Sequence, residues 1–114
     1  MKKNSNCLRD LKDCYKRLDK IIPASKRKEM AKEENMVHHH FGLGTWLRNN
    51  LGLWEDSKLS RYFNSLGITH PDDMTGIILS GYHCYLKKIN YDLQADIKHY
   101  QQYWKDLQSK TNKD

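Results

Sequence analysis

The chain has 114 residues, 38% of them hydrophobic and 30% charged, with a formal net charge of +6. That length suits one domain rather than two, and it can bury a core without disulfides or a metal. The composition excludes a disordered chain. With no visible signal peptide, no apolar run of membrane-span length and three cysteines that form no CxxC, the expectation is a cytoplasmic protein with reduced thiols and no membrane partner.

The first element is carried by Leu8, Leu11, Tyr15, Leu18 and Ile22, whose spacings of three and four give one apolar helical stripe. Asn4 or Ser5 can cap its start and Pro23 ends it. Its other face carries Arg9, Lys12, Lys16, Arg17 and Lys20, so residues 1–24 form a basic amphipathic helix. Cys7 and Cys14 lie on or beside the apolar stripe and read as structural. The basic excess is concentrated here: residues 1–34 hold eleven Lys/Arg against six Asp/Glu, and residues 35–114 hold nine against eight. A solvated face is the simplest reading, and steering toward an acidic partner or nucleic acid the functional one. Asp10, Asp13 and Asp19 interrupt that face.

Core helices are expected over 25–108. Ser25 can cap a helix that runs through KRKEMAKEEN and on to Met36, Val37, His40, Leu43, Leu47 and Leu51, as one long helix or two with a bend over roughly 26–51. Gly42 and Gly44 interrupt it, and each costs up to ~1 kcal/mol relative to Ala, so they signal close approach of another segment or a break. Asp56 or Ser57 starts the next helix, with Leu59, Tyr62, Phe63 and Leu66 on one side and Gly67 at its C-terminal stop. Thr69 or His70 then caps a helix with Pro71 at its first position and Asp72 and Asp73 facing the helix dipole. A final helix carries Leu93, Ile97, Tyr100, Trp104 and Leu107, with a frayed tail over 109–114. No stretch alternates with period two, so the fold expected is an all-α compact bundle of five or six helices in one domain.

Chemistry is sparse. On a continuous helix His38, His39 and His40 point about 100° apart and cannot converge on one ion; at most one, or two with distortion, could join a site. HExxH is absent, GLG at 42–44 lacks the rest of a phosphate-binding pattern, and no serine or cysteine stands in a nucleophile context. No catalytic residue, metal or cofactor is therefore assigned. The residues singled out as a binding centre or structural network are His40, Trp46, Arg48, Asn49, Asn50, Trp54, Ser57, His70, Asp72 and Asp73. Arg48 offers five donors to a carboxylate, with Glu55, Asp72 and Asp73 as candidate partners. Asn49 and Asn50 can close the helix in the left-handed region. Trp46 and Trp54 read first as core anchors, and secondly as the residue type enriched where proteins bind one another.

The block HFGLGTWLRNNLGLW (40–54), followed by SKLSRYFNSLGITHPDDMTGIIL (57–79), resembles a family of small uncharacterised bacterial proteins known only as a domain of unknown function. The resemblance covers roughly 36–90 and leaves the N-terminal basic helix outside. It implies a small, mainly helical cytoplasmic protein and supplies no activity. Its motif coincides with the residues singled out above, together with Gly42, Gly44 and Pro71. Leu51 stands where many members carry Trp, which implies one aromatic contact fewer.

The expectation for geometry is that the turn around Gly42–Trp54 packs against His70–Asp73 and that Arg48 pairs with Asp72 or Asp73. For function, the leading expectation is a non-enzymatic module that binds another protein, with toxin neutralisation of the immunity type as one version. The alternatives are a small enzyme or metal protein using His40, Arg48, His70, Asp72 and Asp73, and nucleic-acid binding through the N-terminal helix.

Overall fold

A computed structural model describes residues 8–112, with side chains from Leu8 to Ser109. Six α-helices make up the bundle: α1 (Leu11–Ile21), α2 (Ala24–Lys32), α3 (Leu43–Asn50), α4 (Lys58–Ser65), α5 (Pro71–Lys87) and α6 (Leu93–Asn112). A short 3-10 turn spans Val37–His39. Among the described residues there is no strand, as the sequence implied.

Helix α5 is the axis of the fold and packs against α1, α2, α3 and α6. Its buried residues include Asp73, Met74, Thr75, Ile77, Ile78, Leu79, Tyr82 and His83, which lie on nearly every side of the helix. A helix buried all round belongs at a centre rather than at a surface. Leu11, Cys14 and Leu18 of α1 press onto this core, with Met30 of α2, Leu47 and Leu51 around α3, and Leu59 and Phe63 of α4. Fully burying one such side chain contributes roughly 1.5–3 kcal/mol.

Glycines set how closely the neighbours approach. A Cβ at Gly81 would lie 2.0 Å from the Tyr15 hydroxyl of α1. One at Gly76 would lie 2.2 Å from that of Tyr100 in α6. The two puzzling glycines divide the roles the sequence offered. Gly42 has open space around its Cα and stands at the break before α3, whereas a Cβ at Gly44 would meet Thr75 Cγ2 at 2.9 Å.

Asp19 ties three helices together. It accepts hydrogen bonds from Tyr82 at 2.8 Å and from Tyr85, and it lies 3.8 Å from Arg27 Nε. The Arg27 guanidinium also donates to the carbonyls of Asp19 and Ile22, closing the end of α1. Part of the basic N-terminal charge is thus structural.

Several expectations are corrected. The caps proposed at Asn4 and Ser5, and Cys7, lie outside the described residues; Asp10 caps α1 by accepting from the Asp13 amide. Pro23, not Ser25, precedes α2, because its fixed φ of −60° leads directly into the helix. The region 26–51 is two helices separated by loop and 3-10 turn, since Glu33–Asn35 carries little apolar periodicity and Gly42 ends the stripe. Val37, expected inward, is exposed. Neither Asn49 nor Asn50 closes α3; Gly52 takes the positive φ of 74°, which costs glycine nothing. Helix α6 runs on to Asn112.

Candidate functional site

Three elements meet at the start of α5. His70 caps that helix by backbone only, which leaves its ring free to stack on Trp104 of α6 at a centroid distance of 3.9 Å and 14° between planes. The Trp104 indole N–H donates to Asp73 Oδ2 at 2.8 Å. Asp73 is buried, so this bond answers a carboxylate that solvent barely reaches. Asp73 also sits in the first turn of α5, where the positive end of the helix dipole favours it.

Arg48 arrives from α3. Its Nε lies 3.5 Å from Asp72 Oδ1, its Nη2 donates to Thr45 Oγ1 at 3.0 Å, and its Nη1 faces His40 Nε2 at 3.4 Å. An arginine only donates, so His40 Nε2 is the acceptor in this contact. Gly44, one turn before Arg48, permits the close α3–α5 packing that brings the guanidinium to Asp72.

Between these elements lies a cleft of about 410 Å³ lined by His40, His70, Asp72, Asp73, His99, Tyr100, Tyr103 and Trp104. A neighbouring cleft of about 590 Å³ shares His70, Asp73, Tyr100 and Trp104 and continues past Ile68 and Thr69 to Lys105 and Gln108. Both volumes are within the usual range of ligand sites. Burial holds the Tyr100 hydroxyl above its ordinary pKa, so it remains a donor at neutral pH.

Of the ten residues singled out in the sequence, His40, His70, Asp72 and Asp73 line this cleft, and Arg48 holds two of them. The other five lie elsewhere. Ser57 is a buried helix cap that exchanges hydrogen bonds with Ser60 and ties to the Gly52 carbonyl. Asn50 donates to the Trp46 carbonyl, and Asn49 is exposed. Trp46 and Trp54 are not core anchors: they are 36% and 65% exposed, and Leu47, Leu51 and Leu53 fill the core in their place.

Sequence reasoning missed the α6 wall, His99, Tyr100, Tyr103 and Trp104. These residues read as a plain apolar helical stripe with a histidine beside it. The signal was present in the close spacing of aromatic residues at Tyr100, Tyr103 and Trp104, more than one helical face needs for packing. The basic face of α1 has its own shallow groove of about 250 Å³, lined by Leu8, Arg9, Asp13, Lys16, Arg17 and Lys20. Asp13 stands within it and binds Arg9 at 3.1 Å, which offsets part of the charge.

Glu33, His38 and His39 form a further cluster. Glu33 lies 3.3 Å from His38 Nε2 and 2.8 Å from His39 Nε2. The expectation that consecutive histidines scatter assumed an α-helix. Here a 3-10 turn replaces it, and two of the three rings come together with centroids 4.1 Å apart.

The family described as a domain of unknown function, DUF6794, matches residues 9–86. That range takes in α1, which the sequence resemblance had left out, and ends before α6. No curated protein and no solved structure matches the chain. With well over half its length matched, the chain belongs to this family of unknown function.

Proposed function

We propose that this member of the family is a non-enzymatic module that binds another protein, and that the cleft between α5 and α6 receives a segment of the partner. The observation that carries this reading is the cleft itself. It is lined by the rings of Tyr103, Trp104 and His70 beside the exposed Asp72 carboxylate. Such a surface suits an extended segment bearing a cationic or aromatic side chain, which would lie on the rings and donate to Asp72.

Preorganisation supports the same reading. Trp104 is fixed by Asp73 and His70, and Asp72 by Arg48, before any partner arrives. Side chains already immobilised lose little entropy on binding. Tyr103 is 52% exposed at the rim, and large exposed aromatic residues are the type most enriched among binding hot spots. Both cleft carboxylates are engaged by donors from the protein, an arrangement that suits holding more than proton transfer.

The test is affinity capture from a native lysate with identification of the retained protein, using Tyr103→Ala and Trp54→Ala. Trp54 lines neither cleft. A specific partner kept by Trp54→Ala and depleted by Tyr103→Ala supports the reading. Failure to retain any specific partner, or retention unaffected by Tyr103→Ala, refutes it.

A further inference from the structure

The cluster outside the cleft carries an inference of its own. We propose that Glu33, His38 and His39 bind a divalent transition-metal ion, with Zn2+ the best fit.

The donor chemistry is two imidazole nitrogens and a carboxylate, the His2Glu set that zinc accepts while leaving a fourth position for water. One donor atom from each residue lies within 4.8 Å of the other two. Tetrahedral zinc, with ligand bonds of about 2.0–2.2 Å, needs donors roughly 3.3–3.6 Å apart. Glu33 reaches both rings, Oε2 at 3.3 Å from His38 Nε2 and Oε1 at 2.8 Å from His39 Nε2, so the donors stand together and the His39 contact must open slightly to admit an ion. The His39 ring carries the hydrogen of its bond to Glu33 on Nε2. In a neutral imidazole that hydrogen moves to Nδ1, and the Nε2 lone pair takes the ion without net proton release.

The backbone is built to hold this set. Glu33 ends α2, and its amide bonds the Met30 carbonyl. Met36 is buried, and its carbonyl accepts the His39 amide at 3.0 Å. Asn35 caps the turn by accepting the Val37 amide at 3.0 Å. The loop is therefore pinned between its ligands at three points, and little freedom remains to be lost when an ion enters. His39 is 15% exposed and His38 62%, so one imidazole is fixed from the protein side and the other meets solvent, which gives the ion a route in.

The experiment titrates ZnCl2 into the chain, prepared without a histidine tag and stripped with chelator, by calorimetry. One equivalent should bind, and Mg2+ in excess should not displace it, because Mg2+ prefers oxygen ligands. His38→Ala, an exposed position whose replacement leaves the fold intact, and His39→Ala should each weaken binding at least about tenfold. Glu34→Gln, which removes the same charge one residue away, should not. In nitrogen-15 spectra of the imidazoles, Zn2+ should move the His38 and His39 resonances. Binding weaker than about 1 mM, affinity in both histidine variants unchanged from the parent chain, or shifts confined to other histidines would overturn the proposal.

Discussion

Replacing Trp104 by Phe keeps an aromatic ring against His70 but removes the N–H that Asp73 accepts at 2.8 Å. A hydrogen bond to a charged group contributes about 1.5–3 kcal/mol. Asp73 is only 8% exposed, so water replaces the lost donor poorly and the cost lies toward the upper part of that range. The α5 dipole still favours the carboxylate by about 0.3–1 kcal/mol, which moderates it. The net expectation is destabilisation of about 2 kcal/mol, or a fall in Tm of roughly 8 °C at about 4 °C per kcal/mol for a chain of this size. Urea unfolding followed by circular dichroism measures it. A cycle with Asp73→Ala and the double variant separates the bond from the lost ring area and should give a coupling of about 1.5 kcal/mol. A coupling below about 0.3 kcal/mol would show that Trp104 does not hold Asp73, and the preformed cleft would lose its main support.

Gly81→Ala should destabilise by about 1–2 kcal/mol although Ala favours helix, because its Cβ would fall 2.0 Å from the Tyr15 hydroxyl in a ring held by Tyr82 and Tyr85; urea midpoints check this. Lys88 is left-handed at φ 61° at the end of α5, so Lys88→Gly should raise stability by about 1 kcal/mol in the same assay. His83 is buried with Nε2 unpartnered among the described residues; His83→Leu should be neutral or stabilise by up to about 1 kcal/mol, and a loss of more would mean the nitrogen has a role. The hydrogen bond from His39 holds the Glu33 carboxyl below its ordinary value of 4.5. A folded value below the unfolded one means the contribution is full above about pH 4.5 and is lost as pH falls through the lower folded value. In metal-free buffer, the part of the stability difference between the chain and Glu33→Gln that comes from the carboxylate should therefore shrink as pH falls below about 4.5.

How much of this was legible in the sequence depends on how local the cause was. Ser57, Gly67, His70 and Pro71 act on the backbone immediately around them, and they stand at helix ends as their chemistry dictates. The Arg48–Asp72 pair was legible because an arginine in an apolar segment requires a partner and few carboxylates were in reach. The tryptophans were misread because Trp46 and Trp54 occupy positions that alternate with Leu47, Leu51 and Leu53, and the smaller leucines won the core. The meeting of His38 and His39 with Glu33 was hidden by an assumed α-helix, whose period differs from that of the 3-10 turn. The α6 wall depends on where a distant helix docks. Gly76 and Trp104 decide that together from 28 positions apart, and no local pattern announces such a contact.

The central claim, that the α5–α6 cleft is where a partner binds, is tested most directly by site-specific photocrosslinking. A photoreactive phenylalanine analogue is placed at position 103 in one preparation and at position 54 in another, and both are irradiated in native lysate. One discrete adduct from position 103 and none from position 54 is the predicted result. An adduct from position 54 alone, or the same adducts from both, would contradict the account.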